Sequence, residues 1–176
     1  MKLIMHSCCA PCSLKCVDEL RNQGIEPTLF WYNPNIHPFT EYKSRKQALI
    51  DWTKEEKINL MIKDEYDIRK FINNIYPNYS DRCSYCYRVR LEEVATEAVK
   101  NGFSHFSTTL LISPYQNHTK IVETANMVSC KFGVEFFYYD FRPYFREGQA
   151  LARQKGIYMQ KYCGCIFSEE ERYKKR

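Results

Sequence analysis

The chain has 176 residues, of which 44% are hydrophobic and 15% aromatic, with a net charge of +5 and nine cysteines. That length suits one domain, residues 1–176, folding around its own core. No apolar run approaches the roughly 18 residues of a membrane-spanning helix, which excludes that class.

The opening segment, Met1-Lys2-Leu3-Ile4-Met5-His6, turns polar and cysteine-rich too soon for a secretory leader. A cytoplasmic protein is therefore expected, and in that reducing setting an odd number of thiols points to metal binding before disulfides. The basic excess is compatible with a polyanionic partner without selecting nucleic acid.

Lys2 to His6 reads as a strand that runs into Ser7-Cys8-Cys9-Ala10-Pro11-Cys12. Cys12, Cys16, Val17 and Leu20 then recur at helical spacing up to Asn22-Gln23-Gly24. Thr28 to Tyr32 is a strand closed by Asn33-Pro34-Asn35, and Glu41 to Lys57 a helix. A third strand is predicted over Ile58 to Lys63, then a helix from Tyr66 to Ile75 ended by Pro77. From Cys83, the positions Tyr87, Leu91, Val94, Ala95 and Ala98 mark a long helix stopping at Asn101-Gly102. Phe103 to Leu111 reads as a strand, Thr119 to Phe132 as a helix, Val134 to Phe141 as a strand, and the basic end Arg172 to Arg176 as a frayed tail. Alternation of this kind predicts an α/β fold with a mainly parallel sheet, whose ligands bind beyond the carboxyl ends of the strands.

Three cysteine groups carry the chemistry: Cys8-Cys9-x-x-Cys12, Cys83-x-x-Cys86 and Cys163-x-Cys165. A Cys-x-x-Cys pair at a helix start turns two sulfurs toward one centre, and the free amides there favour thiolate. Four thiolates drawn from such groups suit an iron–sulfur cubane, and equally a Cys₄ zinc site. Adjacent Cys8-Cys9 is unusual for a zinc knuckle. Cys16 and Cys130 are expected to be small buried hydrophobes on helix faces.

Other candidates lie in loops. His37, in Asn33-Pro34-Asn35-Ile36-His37-Pro38, follows a strand end; Asp81 precedes Cys83 as a helix cap, a ligand or a proton donor. Thr108 to Asn117, with Tyr115, offers hydroxyls, amides and a phenol to a polar ligand, or makes an ordinary turn. The Phe141 to Gln149 stretch mixes Arg142 and Arg146 with aromatic rings. Arg153 and Lys161 follow on the way to Cys163, a pattern that grips phosphate and stacks on bases, or forms a solvated helix face.

Taken together these segments resemble the QueH family, the cobalamin-independent epoxyqueuosine reductases of tRNA queuosine biosynthesis. The resemblance rests on Cys8-Cys9-Ala10-Pro11-Cys12, Tyr32 to Pro38, Cys83-x-x-Cys86-Tyr87-x-x-Arg90-Leu91, Thr108 to Tyr115 and Tyr158-x-Gln160-x-Tyr162-Cys163-Gly164-Cys165. It implies a Rossmann-like domain of the nucleotide-hydrolase and PP-loop kind, with its metal site at the carboxyl edge of the sheet. It also implies a 4Fe-4S cluster with a second metal ion, iron or zinc, a tRNA substrate carrying a queuosine-type wobble base, and an external electron donor.

On that footing Cys8, Cys9, Cys83 and Cys86 are expected to hold the cluster, and Cys12, Cys163 and Cys165 the second ion. Asp81, His37 and Tyr115 are candidate proton donors or ligands; Arg142, Arg146, Arg153 and Lys161 are candidates for the anticodon backbone. The first loop has cysteines and Pro11 where ATP-using PP-loop enzymes carry a glycine-rich phosphate loop, which disfavours ATP-dependent thiolation. The competing readings are a zinc-stabilised tRNA-binding module without catalysis, and a small electron carrier.

Overall fold

The computed structural model describes residues 1–174. Its centre is β1 (Leu3–His6), in which every residue is buried. Successive strand side chains point to opposite faces, so both faces of β1 are covered, as parallel sheets require. β1 pairs in parallel with β2 (Thr28–Trp31) on one side and β4 (His105–Thr108) on the other; β3 (Leu60–Ile62) and β5 (Glu135–Phe136) form the edges. The order β3-β2-β1-β4-β5 is that of a Rossmann-type sheet, whose winding reverses between β1 and β4.

The helices form where period and caps agree. α1 (Ala10–Asn22) carries Pro11 in its first turn, where a missing amide costs nothing, and buries Cys12, Cys16, Val17 and Leu20. α2 (Phe39–Glu55) joins β2 to β3; α3 (Ile68–Ile75) begins where the Asp67 carboxylate accepts from Lys70 N. α4 (Arg82–Lys100) buries Tyr87, Leu91, Val94, Ala95 and Ala98 against β1 and β4. α5 (His118–Phe132), capped by Asn117 at one end and left-handed Gly133 at the other, packs on α4. α6 (Phe145–Gln154) lies along α1, where a Cβ on Gly148 would come within 3.3 Å of Lys15 Cγ. α7 (Ile166–Tyr173) docks on α3 through Phe71, Ile75, Cys165 and Phe167.

Three expectations are corrected. The Phe103–Leu111 and Val134–Phe141 strands shorten to β4 and β5, because the chain turns into a 3-10 segment at Thr109–Ile112 and leaves the sheet after Phe136. Arg172 and Tyr173 belong to the last turn of α7; Lys175 and Arg176 of the expected tail lie outside the described residues. Cys130 is exposed, since the buried stripe of α5 is Ile121, Thr124, Ala125 and Val128, and position 130 falls on the opposite side; Cys16 is buried as expected.

The carboxyl ends of three elements are tied together by His6. Asn33 Oδ1 can only accept, so His6 Nε2 carries the proton it donates over 3.1 Å, and His6 Nδ1 accepts from Thr108 Oγ1 at 3.0 Å. Asn33 Nδ2 in turn donates to Ser7 O. Burial, helped by the nearby Arg90 charge, pushes His6 down to about 3. Below the ordinary histidine value of about 6.5 the unfolded chain takes up a proton that the folded chain refuses, so stability falls as pH drops from there toward 3. His6→Asn is expected to be less stable near neutrality but to lose about 1.4 kcal/mol less per pH unit between about pH 6.5 and about pH 4 than the parent, read from urea midpoints; an unchanged slope contradicts the assignment.

Candidate metal centre

The reversal between β1 and β4 opens a crevice at the carboxyl edge of the sheet, and the first cysteine group sits there. Cys9 is the residue before α1, Cys8 precedes it, and Cys12 lies in the first turn. Their three sulfurs lie within 4.8 Å of one another, with Cys8 and Cys9 Sγ 3.7 Å apart. Hydrogen bonds from Cys12 and Cys9 hold the Cys8 thiol well below its ordinary range; burial raises Cys9, and bonding to Cys8 raises Cys12.

The second group, Cys83 and Cys86, occupies the first turns of α4. The third, Cys163 and Cys165, lies in the loop leading to α7, with Cys165 immediately before the helix. All three groups thus sit at helix N-termini, where unpaired amides favour anions. Burial, with the neighbouring Cys163 and Cys165 adding to it, raises both Cys83 and Cys86, the latter to about 12.

Most of these sulfurs meet a hydrogen donor. Thr109 Oγ1 reaches Cys8 Sγ at 3.4 Å, and Gln160 Nε2 reaches Cys9 and Cys12 Sγ at 2.9 and 3.6 Å. Arg90 Nη2 lies 3.0 Å from Cys86 Sγ and Gln116 Nε2 3.0 Å from Cys163 Sγ, while Arg82 donates toward Cys165. Donors of this kind orient metal-bound sulfur and tune its electronics.

The loop bearing Cys163 is held by Arg45, a buried side chain of α2. Arg45 Nη1 and Nη2 donate to the carbonyls of Cys163 and Tyr162 at 2.8 and 2.9 Å, and Nε to Glu41 Oε1 at 2.6 Å. Glu41 also accepts from Tyr158, and Tyr162 Oη donates to His37 O at 2.6 Å. The fit around Gly164 is tight: an added Cβ there would lie 3.2 Å from Ile36 Cγ1.

These elements enclose a cleft of about 580 Å³ with Cys8, Cys12 and Cys163 in its wall. Its cationic side chains are Arg45, Arg90, Arg146, Arg153, Lys161 and Arg172, and among the described residues no aspartate or glutamate lines it. Tyr115 stands at the rim, 85% exposed, edge-to-face with Phe145 at 5.6 Å between centroids.

Of the residues singled out from sequence, Arg146, Arg153, Lys161 and Tyr115 thus reach the cleft. Arg142 does not; it is exposed and paired with Asp140 at 2.7 Å. Asp81 is exposed, bonded to Lys120 and Ser84, and lines a separate depression with Tyr85 and Arg88. His37 is buried against Phe71 and Tyr66, accepts from Ile166 N, and is pushed by burial down to about 4. Neither Cys83 nor Cys86 joins Cys8 and Cys9 within the 4.8 Å that gathers Cys12.

Thr109 and Gln116 lie in the stretch expected to meet a polar ligand, and Gln160 and Arg90 in the motifs of the resemblance, but none was expected as a donor to sulfur; Arg45 was not singled out from sequence. For Arg90 a signal existed: it follows Cys86 by four residues on a helix, one turn along the same face. Arg45→Ala leaves Glu41 buried without its cation and frees the Cys163 loop. It is expected to cost about 3–5 kcal/mol in urea unfolding and to speed hydrogen exchange over residues 160–166; a loss under about 1 kcal/mol with unchanged exchange contradicts that role.

The family model described as "Epoxyqueuosine reductase QueH" matches residues 3–171. The protein of that name from Dehalococcoides mccartyi is 36% identical over 174 residues, covering 99% of this chain and 96% of that one. Its counterpart from Thermotoga maritima is 38% identical, covering 98% and 93%. That from Acinetobacter baylyi is 34% identical, covering 95% and 80%. A family match across nearly the whole chain, together with these relatives, joins the cysteine-lined cleft to a known lineage: the chain belongs to the QueH family of epoxyqueuosine reductases.

Proposed function

We propose that this chain reduces epoxyqueuosine to queuosine at the wobble position of tRNA in the cytoplasm; its relatives carry the name epoxyqueuosine reductase. The observation that carries the reading is the cleft itself, where cysteine sulfurs from distant segments face six cationic side chains and no described carboxylate. Such a surface takes a polyanion and sets it against sulfur-bound metal.

The donor set fits a resident iron–sulfur group, because thiols at three helix N-termini are met by amide, hydroxyl and guanidinium donors. Cys8 and Cys9, with Cys83 and Cys86, are the residues proposed to hold the 4Fe-4S cluster. Cys12, Cys163 and Cys165 are proposed for the second ion.

Removing an epoxide oxygen to leave an alkene consumes two electrons and two protons and releases water. Bound in the site, the cluster would supply single electrons from an external donor and the second ion a Lewis acid for the oxygen. The chain's own residues bind, orient and protonate. Arg146, Arg153 and Lys161 grip the anticodon phosphates, with Tyr115 and Phe145 offering an aromatic surface to a base. Of the three candidate proton carriers only Tyr115 lines the cleft, and its hydroxyl is the proposed source.

A second reading has one observation in its favour. The 3.7 Å between Cys8 and Cys9 sulfurs matches the edge of a tetrahedral zinc–thiolate site, about 3.8 Å for bonds of about 2.3 Å. A zinc-held tRNA-binding module would use that geometry without turnover. Anaerobically purified protein, incubated with epoxyqueuosine-bearing tRNA and dithionite, separates the two by nucleoside mass spectrometry. Conversion to queuosine together with iron and acid-labile sulfide is expected; stoichiometric zinc without conversion supports the module. In tRNA binding, Arg146→Ala and Arg153→Ala are each expected to weaken affinity across sequences and flatten the salt dependence by about one unit of slope; unchanged slopes would remove the cleft from the RNA interface.

A further inference from the structure

Arg90 is a buried charge with no carboxylate partner among the described residues. It is 2% exposed, and its guanidinium makes two hydrogen bonds, both to Cys86: Nε to the carbonyl at 2.8 Å and Nη2 to the sulfur at 3.0 Å. The two other arginines beside the cysteines each have a carboxylate, Glu41 for Arg45 and Glu171 for Arg82. Among the described residues Arg90 pairs with none; its neighbours are the Cys86 carbonyl and sulfur and the face of the Tyr87 ring. Arginine cannot shed its proton to escape this, and a buried cation without a partner is costly. Thiols become thiolates when they bind a metal, so a loaded site sets anionic sulfur against the buried charge of Arg90.

We propose that Arg90 is a positioning residue that sets the redox poise of the sulfur-held group, its fixed positive charge favouring the reduced form. This rests on the reductase reading above. One-electron reduction by an external donor adds one negative charge to the group; the guanidinium stays protonated throughout and no bond at Arg90 changes. Because Arg90 lines the cleft with Cys8 and bonds the Cys86 sulfur, its field acts where the electron must arrive. Removing the charge destabilises the reduced group, which carries one more negative charge, more than the oxidised one, lowering the midpoint potential.

The test is a mediated redox titration of the full, anaerobically iron-loaded protein, followed by visible absorbance and electron paramagnetic resonance. Arg90→Gln is expected to shift the oxidised-to-reduced equilibrium at least tenfold toward the oxidised form, which for one electron is about 59 mV. Arg90→Lys should keep most of the parent potential, and Arg88→Gln, exposed on the same helix, should keep all of it. An Arg90→Gln potential equal to that of Arg88→Gln overturns the inference, as does an Arg90→Lys potential as low as that of Arg90→Gln. Arg90→Met replaces Arg90→Gln if the latter does not fold. Should neither neutral variant fold while Arg90→Lys folds with the parent potential, the requirement for charge stands; should Arg90→Lys fail to fold too, Arg90 is a packing residue and the inference falls. Parent protein that takes up no iron refutes the reductase reading itself, a result distinct from any of these.

Discussion

Parallel strands deliver every strand exit to one edge of a sheet, and the rest of this structure depends on that constraint. Because the winding reverses between β1 and β4, the loops after these strands part and leave a crevice at that edge. The helix that follows β1 starts there with Cys9, and α4 and α7 bring two more N-termini with Cys83, Cys86 and Cys165. Sulfurs more than 150 residues apart in sequence, Cys8 and Cys163 among them, thus share one cleft wall. His6 keeps the edge in register as a neutral side chain, spanning Asn33 and Thr108 without adding charge beside the thiols.

The electrostatics of the site follow from how its cations are spent. Arg45 is a structural cation, divided between the Glu41 carboxylate and two carbonyls of the cysteine loop. Arg146, Arg153, Lys161 and Arg172 face open space, where they meet a polyanion after desolvating little. Arg90 has neither a carboxylate nor solvent, only sulfur and a carbonyl. A cleft that is basic at the rim and sulfur-bearing in its wall orders its ligands by softness, with phosphate outside and metal inside.

Much of this was legible in the sequence because its signals are local. The cysteine spacings place sulfurs on helix starts, and the Tyr87-Leu91-Val94-Ala98 stripe marks the buried face of α4. α6 was harder to see. Gly148 reads as a breaker, yet it lies on the buried face with Ala152, where α1 comes so near that an added Cβ would press on Lys15 Cγ at 3.3 Å. α7 was hidden by its run of glutamates, its apolar anchorage on α3 being Phe167 and the preceding Cys165. The donors to sulfur were illegible for a different reason. Gln160 reaches Cys9 across 151 positions and Arg45 reaches the Cys163 carbonyl across 118, and no propensity or period encodes such pairs; they exist only once the sheet has closed. Arg142 shows the converse, a residue of the right type in the right stretch whose nearest anion, Asp140, lies two positions away.

The central claim is that thiols from three segments converge to hold iron beside a cleft built for RNA. Diffraction from anaerobically grown crystals, with anomalous maps on either side of the iron and zinc edges, measures this directly. The account predicts iron density among the sulfurs of Cys8, Cys9, Cys83 and Cys86. Iron-free maps, with zinc alone at the Cys8-Cys9-Cys12 sulfurs or no metal near any of them, would contradict it.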